Sequence, residues 1–187
     1  MSLYDGWDPP GPGWTCATCG FVYDAVQGEA AADTIRWYGT RFRALLLSDE
    51  ENASDEDLRR RPAPEIWSAL EYLCHARDAL RIYEFRIDRA LTDDRPTLPA
   101  MNRDQAAIDL KYNEQDPTIA VEELEVGAET LAARIEQLPA TAWNRAIVRE
   151  GETLTIDWMT RNAAHEAQHQ LLDVKDVLQR VTSGPAS

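Results

Sequence analysis

Cysteine, histidine and lysine are all scarce in this 187-residue chain: three cysteines, three histidines, and only Lys111 and Lys175 among nineteen basic residues. Cys16, Cys19 and Cys74 cannot close a four-thiolate site within one chain. Basic charge is outnumbered by 33 acidic residues, and the net charge of −14 opposes binding to phosphate backbones, whose affinity comes largely from Lys and Arg. No nucleic-acid partner is expected. Long apolar runs are also missing, so no membrane span is expected. The opening MSLYDGWDPPGPGW has neither a basic region nor an apolar core of a secretion leader, which predicts a cytoplasmic protein. What remains, 44 % hydrophobic and 28 % charged residues, suits one globular domain with a sizeable core and no internal repeat.

The richest stretch is WMTRNAAHEAQHQLLD, Trp158 to Asp173. It has no Gly or Pro, so a helix is expected, and His165 and His169 then leave the same face one turn apart, as two ligands of one ion would. Trp158, Asn162, Leu172 and Asp176 extend that stripe. The remaining histidine, His75, lies in a second strongly helical stretch, EIWSALEYLCHARDAL. Three neutral imidazoles suit zinc first, with nickel or iron next, and leave one position open for water or substrate.

Taken in order, residues 1–27 predict an irregular arm, 28–182 a helical bundle and 183–187 a disordered tail. Within the arm, Cys16 and Cys19 form CxxC followed by Gly20, which permits the turn that aims two thiolates at one point. This resembles half of a rubredoxin-type site. It reads as a second metal site, a redox dithiol, a site completed by another chain, or a turn capping the bundle with Phe21 and Tyr23. A first helix is expected over 28–47, a loop with one turn at SDEDL, and a second helix over 65–90 led by Pro62 and Pro64. Arg77 and Glu84 interrupt its apolar seam, and Asp78 lies three residues from His75. A long crossover with a short helix near 104–112 follows. Asp116-Pro117 then starts a third helix with an unbroken apolar stripe ending at Pro139. A turn or small hairpin over 143–155 leads into the last helix, to about Val181. Four helices with a long crossover between the second and third make an all-α four-helix bundle.

HEAQH also fits HExxH, in which Glu166 would be a general base, but no downstream His or Glu supplies a third zincin ligand. Asp173 suits a carboxylate partner for an imidazole N–H. Glu166 and Asp78 are the candidate acid–base groups, and Arg77, Tyr112, Trp143 and Arg161 the candidate substrate contacts, by position and residue type alone.

The order WSALEYLCHARD, YNEQDP, a Leu-seamed helix and HEAQHQLLD resembles the DinB/YfiT-like superfamily of metal-binding four-helix bundles, nearest its branch of mycothiol-dependent enzymes. The resemblance covers roughly 29–180. It implies an up-down-down-up bundle, a homodimer, and one divalent metal on His75, His165 and His169. It further implies a small-molecule substrate and transfer or isomerisation using a low-molecular-weight thiol. Metal-dependent hydrolysis, or a non-catalytic metal-binding module, are the alternatives. The CATCG knuckle lies outside the family pattern.

Overall fold

A computed structural model describes residues 10–47 and 53–183. Four long helices, α1 (Ala30–Leu47), α3 (Ala69–Thr92), α5 (Pro117–Glu136) and α6 (Ile156–Thr182), form the bundle. Two short helices, α2 (Asp55–Arg59) and α4 (Arg103–Asp109), and a hairpin of β1 (Ala146–Arg149) and β2 (Glu152–Thr155) decorate it. Helices α1 and α3 each pack against both α5 and α6, so the first two long helices face each other across the bundle. No helix among the described residues is long and apolar enough to cross a membrane.

Local chemistry sets the helix starts. Asp116 accepts from the Thr118 and Ile119 N–H groups, with Pro117 as the first residue of α5, as the sequence predicts. The second long helix begins at Ala69 rather than Glu65. Ser68 Oγ accepts from the Glu71 N–H at 3.2 Å while the Glu71 carboxylate accepts from the Ser68 N–H at 2.8 Å. This capping box outcompetes the Pro62 and Pro64 signal, which lies before the helix. Thr155 caps α6 by accepting from the Trp158 N–H. The SDEDL turn is α2, capped by Ser54, and the expected crossover helix is α4, followed by a 3₁₀ turn at Tyr112–Glu114.

The hairpin pairs Ile147 with Leu154 and Arg149 with Glu152. Its two-residue turn holds Glu150 at φ 52° and Gly151 at φ 88°, the sense of turn that matches strand twist. Val148 donates to the Pro96 carbonyl and accepts from the Leu98 N–H, which ties the crossover to β1. At Gly39, an added Cβ would stand 2.9 Å from the Ala128 Cβ, so α1 approaches α5 more closely than a side chain would allow.

Two apolar clusters fill the interior. One takes residues 156–164 of α6 with Ile35, Leu80, Ile87, Leu131 and Ile147; the other takes 171–181 of α6 with Phe42, Leu70, Leu73, Val121 and Leu124. His165 and His169 occupy the stretch of α6 between them. The arm shares the first cluster through Cys16, Phe21 and Tyr23. Of the tail expected over 183–187, only Ser183 is among the described residues.

Candidate metal centre and adjoining pocket

The arm folds into a knuckle before it meets the bundle. Thr15 pairs with Val22, the Cys16 N–H donates to the Phe21 carbonyl at 2.8 Å, and the Gly20 N–H donates to the Cys16 carbonyl at 2.9 Å. Gly20 takes φ +73°, a conformation open to glycine at no steric cost. The Cys19 N–H points at Cys16 Sγ, 3.5 Å away. Three contacts fix this knuckle to α6: Trp158 Nε1 donates to the Pro10 carbonyl at 2.7 Å, Gln168 Nε2 to the Cys19 carbonyl at 2.7 Å, and Arg161 to the Tyr23 carbonyl at 3.2 Å.

Docking in this way puts two thiols against the two imidazoles of α6. One ligand atom from each of Cys16, Cys19, His165 and His169 lies within 4.8 Å of the other three. Two sulfurs and two nitrogens are the donor set of a tetrahedral zinc site. Cys16 Sγ is 3.6 Å from Nδ1 of His169, and Nε2 of the same ring lies 3.7 Å from Asp173. A ring facing a thiol on one side and a carboxylate on the other has the arrangement of a ligand steadied by an outer partner.

His165 supplies the test of fit. It is 3 % exposed, lies between Trp14 and Phe21 with ring centroids at 5.0 and 5.2 Å, and neither ring nitrogen has a hydrogen-bond partner among the described residues. Buried polar atoms in folded proteins are almost always satisfied, so an ion at this point would satisfy one of the two nitrogens that the protein leaves open. Burial, aided by His169, pushes the His165 imidazole down to about 4. Burial and then Arg103 lower His169 as well. Both rings are therefore neutral at pH 7, the form that binds metals. Burial pushes the Cys19 thiol up to about 12, so a nearby cation is needed to hold it as thiolate.

His75 is not part of this group, nor of any group of three or more potential ligands among the described residues. Its ring stands edge-on to Trp67, centroids 5.4 Å apart, and lines a pocket of about 500 Å³ with Tyr83, Arg86, Arg103, Arg149 and Glu166. The structure thus joins two histidines of the expected triad to the knuckle and sets the third in an adjoining cavity. Burial, then Arg103, pushes the His75 imidazole down to about 4.

The other sequence candidates separate clearly. Glu166, a candidate acid–base group, is half-buried and lines the pocket, its carboxyl raised by burial. Asp78 is engaged at both oxygens, by Arg77 Nε at 2.8 Å and by the Tyr112 hydroxyl at 2.7 Å. Arg77 also donates to Gln115 and Glu123. These three form a buried polar joint between α3, α5 and the crossover. Trp143 packs on the first apolar cluster, and Arg161 pairs with Asp157 and covers the Tyr23 ring at 4.8 Å. None of Arg77, Tyr112, Trp143 and Arg161 lines the His75 pocket. Residues without a sequence signal do: Arg103 of α4, Arg86 of α3 and Arg149 of β1.

No curated protein matches the chain. Among solved structures it is similar to YfiT from Bacillus subtilis, titled a probable metal-dependent hydrolase with an unusual four-helix bundle topology. The TM-score is 0.75 at 13 % identity over 93 % of this chain and 94 % of that one, a likeness of fold. A family model for the DinB superfamily matches residues 38–172, which takes in all three histidines and leaves the knuckle outside. With well over half of its length matched, the chain belongs to the DinB superfamily.

Proposed function

We propose that this chain is a zinc-binding small-molecule protein of the superfamily, with one ion held by Cys16, Cys19, His165 and His169 and a substrate site in the pocket walled by His75 and Glu166. The observation that carries the reading is the convergence of four donors within 4.8 Å, from segments about 150 residues apart in the chain. A bound ion would supply fixed positive charge that holds two thiolates and clamps the arm to α6. Four protein ligands complete a tetrahedral shell, the mark of a structural site. Thiol transfer of the mycothiol type, and hydrolysis by a bound water, both need an open position on the ion. Either would require displacing a ligand, and Cys19, half-buried where Cys16 is buried, is the one within reach of an incoming group. The pocket, by contrast, offers neutral His75, three guanidinium groups and the carboxylates of Asp104, Glu150 and Glu166 to a ligand without disturbing the ion.

Elemental analysis of protein purified without added metal tests this. We expect about one zinc per chain in the wild type and in His75→Ala, and almost none when Cys16 and Cys19, or His165 and His169, become alanine. Loss of zinc from His75→Ala with retention in the double-cysteine variant would instead support the three-histidine site.

A further inference from the structure

The four donors at the knuckle are not equally sheltered. Cys16, His165 and His169 are 7 %, 3 % and 6 % exposed, whereas Cys19 is half-buried and its neighbours Thr18 and Gly20 are exposed. A reagent arriving from solvent therefore meets this donor set at one sulfur. The other sulfur of CxxC stands within 4.8 Å of it, and the Cys19 N–H donates to Cys16 Sγ at 3.5 Å, so the loop already turns residue 19 back onto its partner. An accessible thiolate beside a second thiol is the arrangement of a redox-sensitive pair. Cys74 gives the contrast. It is wholly buried in the other apolar cluster from Cys16, and burial pushes its thiol up to about 12, which leaves it inert. Both imidazoles come from α6 itself, so any ion held here is tied to the arm through the two sulfurs alone. Trp14 and Phe21 then close over His165 at 5.0 and 5.2 Å.

We propose that Cys19 is a modification site for hydrogen peroxide, with Cys16 as its resolving partner, and that closing a Cys16–Cys19 disulfide expels the ion and loosens the arm from α6. The inference rests on the metal half of the proposed function, since a bound cation holds both sulfurs as thiolates. The Cys19 thiolate attacks one peroxide oxygen, the O–O bond breaks, and the departing hydroxide takes a proton to become water, leaving Cys19 as a sulfenic acid. The Cys16 thiolate attacks the Cys19 sulfur; an S–S bond forms, the S–O bond breaks, and the second hydroxide also leaves as water. Two thiolates lose two electrons, peroxide gains them, and solvent supplies two protons. Two imidazoles alone fall short of a four-ligand shell, so zinc is released. A thiol reductant reopens the disulfide and restores the donor set.

Treating the reduced, zinc-replete full chain with a small molar excess of hydrogen peroxide tests this, read by a chromogenic chelator for free zinc and by peptide mapping after thiol alkylation. We expect about one zinc released per chain, in step with the loss of two of the three thiols. Mapping should find the Cys16–Cys19 disulfide with Cys74 still alkylated, and Cys74→Ser should release zinc as the wild type does. Dimedone present during the reaction should label Cys19 and not Cys16. Dithiothreitol with added zinc should restore the starting content, and limited proteolysis should cut within residues 10–27 faster after oxidation than before. Zinc and all three thiols retained under peroxide, zinc lost without the disulfide, or dimedone on Cys16 instead of Cys19 overturns the proposal and leaves the metal centre standing. Protein without zinc before peroxide is added contradicts the metal centre itself, and this inference with it.

Discussion

Stripping the ion with a chelator, or replacing Cys16 and Cys19 together by serine, is expected to lower the melting temperature by about 8–16 °C. A ligand that binds only the folded state at a thousand times its dissociation constant contributes about 4 kcal/mol, and a chain of this size loses about 2–4 °C per kcal/mol. The ion would join the knuckle to α6 directly. Without it the knuckle keeps the Trp158, Gln168 and Arg161 hydrogen bonds to its carbonyls and the burial of Phe21 and Tyr23. Loosening should therefore begin there, ahead of the bundle. Limited proteolysis during the melt should cut first within residues 10–27 of the metal-free protein. Equal melting temperatures with and without chelator, in protein shown to have lost its zinc, would contradict the clamp.

Glu71→Ala should cost about 3 kcal/mol, read as a shift in the urea midpoint at unchanged slope. Glu71 is 3 % exposed. Its carboxylate accepts from the Ser68 N–H and from Arg61 Nε, each at 2.8 Å. Removing it leaves a buried N–H unsatisfied and a guanidinium without its anion, and each loss is expensive where water is excluded. Arg61 is partly exposed, which keeps the expected cost at the lower end for a broken buried pair. Glu71→Gln retains one acceptor for the Ser68 N–H and should lose about 1–2 kcal/mol. This box starts α3 about two turns before His75, so the alanine variant should also disturb the pocket wall that His75 lines. A midpoint shift worth less than about 0.5 kcal/mol, the range of an ordinary surface substitution, would show that the cap does not hold the helix start.

Periodicity made the bundle legible. The unbroken stripe of α5, the Asp116-Pro117 start and the glycine-free run of α6 each specify a helix by local rules, and the four-helix count follows from them. The pairing of His165 with His169 is equally local, since residues four apart share a helix face. What joins that pair to other donors depends on how distant segments dock, and helical spacing is silent there. Cys16 and Cys19 were legible as a knuckle but not as the complement of the histidine pair. The signal that could have connected them is the donor count: CxxC and HxxxH together make the two-sulfur, two-nitrogen set of zinc. His75 invites a triad because it is the third histidine, yet in the fold its ring stands edge-on to Trp67 and lines the pocket. Arg86, Arg103 and Arg149 carried no signal, because arginine on an amphipathic helix or a hairpin usually faces solvent. Only the docking of α4 and of the hairpin against α3 turns these three toward one space. The four-residue shift in the start of α3 was readable in Ser68 and Glu71, a box that the nearby prolines obscured.

X-ray absorption at the zinc edge of the purified protein tests the metal centre most directly, because sulfur and nitrogen ligands separate by distance. The account predicts two sulfurs at about 2.3 Å and two imidazole nitrogens at about 2.0–2.1 Å. A shell of nitrogen and oxygen alone, with no sulfur at that longer distance, would contradict it.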